Sequence, residues 1–360
     1  MAQTVSWGVL GTGIIAQRFV SDLLGRPDAR LTAVGARSTG SAQAFAAAFP
    51  QASGAPAAVA GVEALAARPD IDVVYIATPN SDHMDSALAC IEAGKSVLIE
   101  KPIALSGGQA RRIAEAARRK GVFCMEAMWM RFTPGVVRAK AMLEAGEIGD
   151  PLHLDARLFF PRAPNPPGRT DDPAEGGVIL DLGVYPVSLA LHLFGAPNEV
   201  SGVGLDRGGA AAQQAALALG WNARTATLSC GSTGEADNAA VIVGTRGRIH
   251  LHRQFLCPPF LTRVRTAAAP APADRAPPRR QAVGRLAFAK RLLQPLDFRR
   301  VALIPTPYLG FGLRHQIDEV HRCLLAGARE SPIMPLADSI RTLDILDRVR
   351  ARPQPLEAVA

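Results

Sequence analysis

The sequence predicts an α/β protein: an N-terminal doubly wound parallel sheet, then an α+β domain with a mostly antiparallel open sheet. Three observations predict it. Over the first 126 residues, short apolar runs alternate with helix-like stretches, the pattern of a parallel sheet covered on both faces. A glycine-rich turn, Gly11-Thr12-Gly13, closes the first apolar run and opens the first helix. Beyond about residue 150 strand-like runs follow one another with turn residues between them, as in an antiparallel sheet. The predicted domains are 1–126 and 127–360, with C-terminal helices within 311–350 packing back near the interface.

The elements follow in order. Val5–Leu10 reads as the first strand, and a helix runs from the glycine turn to about Leu24. Leu31–Ala36 is the second strand. Ser41–Phe49 is Ala-rich and helical, with Ser41 as the expected N-cap. Asp72–Ala77 is a strand bounded by Thr78-Pro79-Asn80, and Ser81–Ala93 a helix closed by Gly94. Ser96–Ile99 is a strand leading into Glu100-Lys101-Pro102. Ser106–Lys120 is a helix closed by Gly121, and Val122–Glu126 a further strand. Later strands are predicted at Leu152–Phe160, Glu199–Asp206, Gln214–Trp221, Thr225–Cys230, Ala239–Gly244 and Arg248–His252. Helices are predicted at Arg131–Ala145, Asp181–Phe194, Phe311–Ala326 and Leu336–Arg350.

At 360 residues, 48% hydrophobic and 20% charged, the chain can bury a sizeable core. Its five cysteines are scattered and lack C-x-x-C spacing, which argues against a disulfide scaffold or structural zinc and for a reducing compartment. His315 and His321 lie six apart, not i,i+4, and His250 and His252 have no acid adjoining them; no metal is expected. No apolar run approaches the ~18 residues of a membrane span, and the first residues lack the basic region of a signal peptide. A cytoplasmic location is expected. The net charge of +8 sits in residues 253–300, with eleven Lys/Arg against Asp274 and Asp297, so no general nucleic-acid-binding surface is expected. Within this basic stretch, Pro, Ala and Arg dominate 257–285, and 285–300 reads as a short basic helix. An insertion at about 257–300 is expected to be a solvated surface excursion, or else to contact an anionic partner or the active-site rim.

The glycine turn continues as Gly11-Thr12-Gly13-Ile14-Ile15-Ala16, a G-x-G-x-x-A fingerprint of a dinucleotide-binding Rossmann domain. Gly11 permits the tight turn, Gly13 lets a pyrophosphate reach the backbone, and Ala16 allows close helix–strand packing. The free amides of the helix N-terminus, including those of Ile14 and Ile15, receive the phosphate. An NAD site has an Asp or Glu after the second strand; none stands between Leu31 and Ser41, where Arg37-Ser38 follow instead. A guanidinium and a hydroxyl suit a 2′-phosphate, so NADP(H) is the expected cofactor. Lys101 follows the carboxyl end of a strand, where ligands bind in open α/β sheets. Its charge would stabilise a developing alkoxide and lower the pKa of a neighbouring acid.

These motifs, in order, resemble the glucose–fructose oxidoreductase/inositol dehydrogenase family (Gfo/Idh/MocA). The resemblance rests on the glycine fingerprint, Ala77-Thr78-Pro79-Asn80 with His83, and Glu100-Lys101-Pro102. It continues through Glu126-Ala127-Met128-Trp129-Met130-Arg131-Phe132, Gly146-Glu147-Ile148-Gly149, and the run Gly176-Gly177-Val178-Ile179-Leu180-Asp181-Leu182-Gly183-Val184-Tyr185. It ends at Glu330–Ser339 and covers most of the chain outside about 257–300. It implies an open sheet that joins a homodimer or higher homo-oligomer, and Lys101 as the active-site lysine. It also implies that Thr78, Pro79, Asn80 and His83 form the loop beneath the nicotinamide side of the cofactor, with Trp129 and Arg131 near cofactor and substrate. The inositol dehydrogenase branch has a catalytic histidine where this chain has Tyr185. A tyrosine there is similar to the dimeric dihydrodiol dehydrogenase and NADP-dependent xylose dehydrogenase branch, where it is the proposed acid/base.

Asp181 and Tyr185 are i and i+4 and would share one helix face, although Pro186 points to a helix beginning near Tyr185 with proline in its first position. For Asp181, helix capping and a contact to lysine or substrate both remain open. A Lys101 cation near Tyr185 would favour phenolate and ease proton exchange. The expected function is NADP(H)-dependent hydride transfer to or from a carbinol carbon of a sugar, polyol or cyclic diol such as a trans-dihydrodiol. Phe159 or Phe160 would shape the substrate face. Two alternatives remain: an NAD-dependent glycoside hydrolase working through transient oxidation, and a non-catalytic NADP sensor or scaffold.

Overall fold

The computed structural model describes residues 4–52, 54–161, 175–205, 212–266 and 300–350. Six strands form the first sheet: β1 (Val5–Leu10), β2 (Ala29–Ala36), β3 (Ala57–Ala60), β4 (Val73–Ile76), β5 (Ser96–Glu100) and β6 (Cys124–Ala127). All pair in parallel in the order β3-β2-β1-β4-β5-β6. In this doubly wound order the ligand crevice opens beyond the carboxyl ends, where the strand order reverses. Every residue of β4 is buried, as expected for a central strand covered by helices on both faces.

Trp7 of β1 is fully buried and meets Phe19 edge-on at 5.3 Å, and Phe19 stacks on Tyr75 of β4 at 3.7 Å. The indole N–H donates to His321 Nε2 at 3.0 Å, and His321 Nδ1 faces Asp28 at 3.2 Å. Nε2 accepts, so the proton of a neutral imidazole sits on Nδ1. Burial lowers the pKa of His321 against the pull of Asp28. The C-terminal helix Arg314–Leu325 is thereby bonded to the first strand of the chain.

Eight strands form the second sheet: β7 (Pro151–Phe159), β8 (Glu199–Leu205), β9 (Gln214–Trp221), β10 (Arg224–Gly231), β11 (Ala240–Gly244), β12 (Gly247–Leu251), β13 (Phe260–Arg265) and β14 (Val301–Pro305). Their order is β14-β13-β12-β11-β7-β10-β9-β8. The β7–β10 pair is parallel and the others are antiparallel. Leu154, Leu158, Leu217 and Leu228 are buried on one face. Ala216, Ala218 and Thr227 alternate with them on the other face and are exposed. Helix Val184–Phe194 covers the buried face. Helix Leu336–Arg350 ties this domain to helix Gly107–Lys120: Asp347 accepts from the Gly107 amide at 2.9 Å, and Arg350 donates to the Leu105 carbonyl at 2.7 Å.

Several elements differ from expectation. Ser38, not Ser41, caps the helix Thr39–Ala47, accepting from the Ser41 amide at 3.2 Å. Strand β3 and helix Gly61–Ala66 carry no sequence signal, because Ala-Ala-Val-Ala has little β-propensity. The predicted helix Asp181–Phe194 is two helices, Gly177–Asp181 and Val184–Phe194, with Pro186 inside the first turn of the second, where its missing N–H removes no helical bond. The helix predicted from Phe311 begins at Arg314, since Gly310 and Gly312 have positive φ. Residues 257–266 do not form the expected excursion, because β13 pairs along β12 with Leu261 buried; the rest of that segment up to residue 299 lies outside the described residues. The basic helix expected at 285–300, apart from Arg300, lies outside the described residues.

Removing the acceptor of a buried indole leaves its N–H unpaired beside a small cavity. His321→Ala should therefore lower stability by about 2–4 kcal/mol in urea unfolding. A change under about 0.5 kcal/mol would show that this link adds nothing.

Candidate active site

Strand β5 delivers Lys101 to the carboxyl edge of the first sheet. Its ammonium donates to Asp181 Oδ1 at 2.8 Å and to the Asp181 main-chain oxygen at 2.9 Å. Asp181 ends its short helix, and the break at Leu182-Gly183 sets Tyr185 into the next one. The Tyr185 ring lies 4.9 Å from Lys101 Nζ. The phenol oxygen accepts from Trp129 Nε1 at 3.1 Å, which leaves the phenol's own hydrogen free to be donated. Lysine, carboxylate and phenol thus converge without sharing a continuous helix face.

Burial pulls the Lys101 pKa down, but the Asp181 carboxylate, with Tyr185 and Glu100, outweighs it and holds the ammonium well above the ordinary lysine range. Burial raises the Tyr185 phenol, and the opposing Lys101 cation does not overcome it. This corrects the expectation that Lys101 yields a ready phenolate: desolvation exceeds the cation's pull, so the phenol keeps its proton at neutral pH. Glu100 is 5% exposed. It accepts from the Tyr75 hydroxyl and from the Lys101 amide, the latter at 3.2 Å. Burial nevertheless pushes its carboxyl up to about 7.

Glu100, Lys101, Trp129, Asp181 and Tyr185 line a cleft of about 780 Å³ together with Gly13, Ile14, Ile15, Thr78, Asn80 and His83. Gly11, at φ +112°, turns the chain from β1 toward the helix. His83 is fully buried and braces two loops, with Nδ1 2.7 Å from the Pro102 carbonyl and Nε2 3.1 Å from that of Thr78. Pro79 precedes the 3-10 turn Asn80–Asp82. Arg37 and Ser38 stand exposed just past β2; Arg37 has no hydrogen bond or ion pair among the described residues, and Ser38 serves as the helix cap.

Gly11, Arg37, Ser38 and Pro79 lie outside the cleft lining, and so do Arg131, Phe159 and Phe160. Arg131 is completely buried and spent on protein: it donates to Ser188 Oγ at 2.8 Å, the Ile333 carbonyl at 3.0 Å and Asp338 at 2.7 Å. It is a structural link, not a cofactor contact. Phe159 packs over Gly231, whose missing Cβ would lie 2.4 Å from the ring, and Phe160 packs against the core. Conversely, Arg18, Gln254, Cys257, Phe311 and Leu313 line the cleft without having been foreseen. Glu175, also not foreseen, braces the loop after β4, accepting from the Asn80 amide at 2.9 Å and from Ser81 Oγ at 2.6 Å. Its signal was a carboxylate placed directly before Gly176-Gly177.

The residues present fit a dinucleotide. The space where a Gly13 Cβ would stand is open for 4 Å around. The helix Ile14–Leu24 has no side-chain cap and no acid in its first turn, so its amides are free for an anion. Thr78 Oγ1 is buried without a hydrogen-bond partner on the wall of the same cleft. Among the described residues no group of three His, Cys, Asp or Glu could hold a metal ion, and no helix is long and apolar enough to cross a membrane.

Two family descriptions match the chain: the Gfo/Idh/MocA oxidoreductase family with NAD-binding Rossmann fold at residues 5–128, and the C-terminal domain of that family at 136–250. The trans-1,2-dihydrobenzene-1,2-diol dehydrogenase of Danio rerio is 32% identical over 356 residues, covering 96% of this chain and 95% of that enzyme. The mouse (Mus musculus) enzyme of the same name is 30% identical with the same coverage. The chain belongs to the Gfo/Idh/MocA family of oxidoreductases. A 3-ketoreductase from Actinomadura kijaniata, solved with NADP and TDP-benzene, is 26% identical, with TM-score 0.77 and 98% of each chain covered. An aldose-aldose oxidoreductase from Caulobacter crescentus shares the fold at TM-score 0.78, with 19% identity over 97% of this chain and 98% of that one.

The raised Glu100 carboxyl makes a signed prediction. Its folded pKa of about 7 exceeds the unfolded value of 4.5, so its contribution is present below the unfolded value and is lost as pH rises through about 7. Wild-type stability relative to Glu100→Gln should therefore fall by about 3 kcal/mol between about pH 4 and pH 8. A pH-independent difference in chemical denaturation would contradict this.

Proposed function

We propose that the protein is an NADP(H)-dependent dehydrogenase or reductase acting at a carbinol or carbonyl carbon of a sugar, polyol or trans-dihydrodiol. The observation that carries this reading is the Tyr185 hydroxyl, which receives a bond from Trp129 and lines a cleft beside the Lys101 cation. A bound reduced nicotinamide supplies the hydride. Tyr185 gives its proton to the carbonyl oxygen, and Lys101 stabilises the negative charge developing there. In the oxidative direction the same oxygen takes the carbinol proton back. Asp181 fixes the ammonium, while Glu100, bonded to Tyr75 of β4, holds the Lys101 main-chain amide. Gly13, Ile14 and Ile15 would hold the diphosphate and Thr78 would meet the cofactor. Arg37 would pair with the 2′-phosphate, beside the Ser38 hydroxyl.

Support for the substrate class comes from the dihydrodiol dehydrogenases and the 3-ketoreductase among the relatives. The exposed face of the second sheet, with Ala216, Ala218 and Thr227 outward, favours a homodimer or higher homo-oligomer joined through that face.

Tyr185→Phe should lower turnover by roughly 10²–10⁴-fold in either direction; near-normal turnover would remove the phenol from the chemistry. Fluorescence titration should show NADPH preferred over NADH, with the preference lost in Arg37→Ala. Equal affinities in the wild type would refute the NADP assignment. Lys101→Met removes the cation that opposes the rise of the Tyr185 pKa. The ascending limb of its residual oxidation profile, set by loss of the phenol proton, should therefore move to higher pH.

A further inference from the structure

Arg18 stands one turn beyond Ile14 on the helix Ile14–Leu24 and lines the cleft at its glycine-turn end. Among the described residues it has no ion pair and no hydrogen bond. Its partner is the ring of Phe311, with the guanidinium carbon 5.5 Å from the ring centroid. Phe311 is itself 50% exposed, so core packing does not account for its position. The segment carrying it is pinned. The Asp22 carboxylate, one turn further along the same helix and only 6% exposed, accepts main-chain N–H bonds from Phe311 at 3.0 Å, Leu313 at 2.9 Å and Arg314 at 3.1 Å. Gly310, at φ +71°, passes so close that a Cβ there would lie 2.1 Å from Asp22 Oδ1. Residues 310–313 thus form a strap fastened to the helix, and Phe311 is a shelf that holds a flexible arginine over the cleft. An arginine kept at a cleft wall, one turn from free helix amides and without a carboxylate to neutralise it, is arranged for an anion with several oxygens.

We infer that Arg18, shelved on Phe311, grips the diphosphate of the dinucleotide beside the glycine turn. The inference rests on the cofactor reading above. Diphosphate is favoured over the other anions by place: Arg18 stands one turn from the free amides of Ile14 and Ile15, whereas Arg37 stands past β2 for a 2′-phosphate and Lys101 is paired with Asp181.

The test is binding, read by fluorescence or calorimetry, with NADPH, NADH and adenosine 2′-monophosphate as probes. Arg18→Met should weaken NADPH and NADH by the same factor, about 10- to 100-fold, and leave adenosine 2′-monophosphate, which has no diphosphate, unchanged. Arg18→Lys should fall between, because it keeps charge and loses the fork. Phe311→Ala should weaken both dinucleotides by about 2- to 5-fold. Unchanged NADPH affinity in Arg18→Met overturns the inference alone, as does a loss confined to NADPH, which would move Arg18 to the 2′-phosphate. A wild type that binds neither dinucleotide overturns the cofactor reading, and this inference with it.

Discussion

The contact between Lys101 and Asp181 is the constraint on which the site depends. It joins the end of β5 to the short helix that opens the second domain's covering layer, at 2.8 Å to the carboxylate and 2.9 Å to the main chain. Both side chains are largely withdrawn from water, at 15% and 20% exposure. Such a pair contributes little net stability, because desolvation offsets attraction. What it supplies is position. The ammonium is fixed from two directions by one residue, and the break that follows that residue sets Tyr185 beneath it.

Around this pair the site limits its own charge. Glu100 and Tyr185 are both pushed toward their neutral forms by burial, while Lys101 is driven further toward its charged form. A single well-anchored cation among groups that resist ionisation keeps its field strong within the cleft. The phenol that receives the Trp129 N–H, for the same reason, keeps its proton rather than standing as an anion.

Much of this was legible in sequence, for physical reasons. Buried parallel strands must be continuously apolar, which marked β1, β4 and β5. The phosphate turn must be glycine, which marked Gly11 and Gly13. The meeting of Lys101, Asp181 and Tyr185 was legible only through the resemblance: local spacing put Asp181 and Tyr185 on one helix, and the chain breaks between them. Arg131 misled because it follows Trp129 closely. In a 3-10 turn each residue rotates a third of a circle, so residues two apart point in different directions, Trp129 to the cleft and Arg131 to the interior. Phe311 and Arg18 were invisible because their contact joins positions far apart in sequence, which one-dimensional patterns do not report.

The bond from Trp7 to His321 spans 314 positions of the chain. A ribosome releases the first strand long before the helix that completes its packing exists. Until then the indole must find water or a helper for its N–H, and the ring face that His321 covers stays bare. The N-terminal sheet can form early, but its finished interior awaits the helix Arg314–Leu325, more than 300 positions further along the chain, so disrupting that helix would be felt in the first strand.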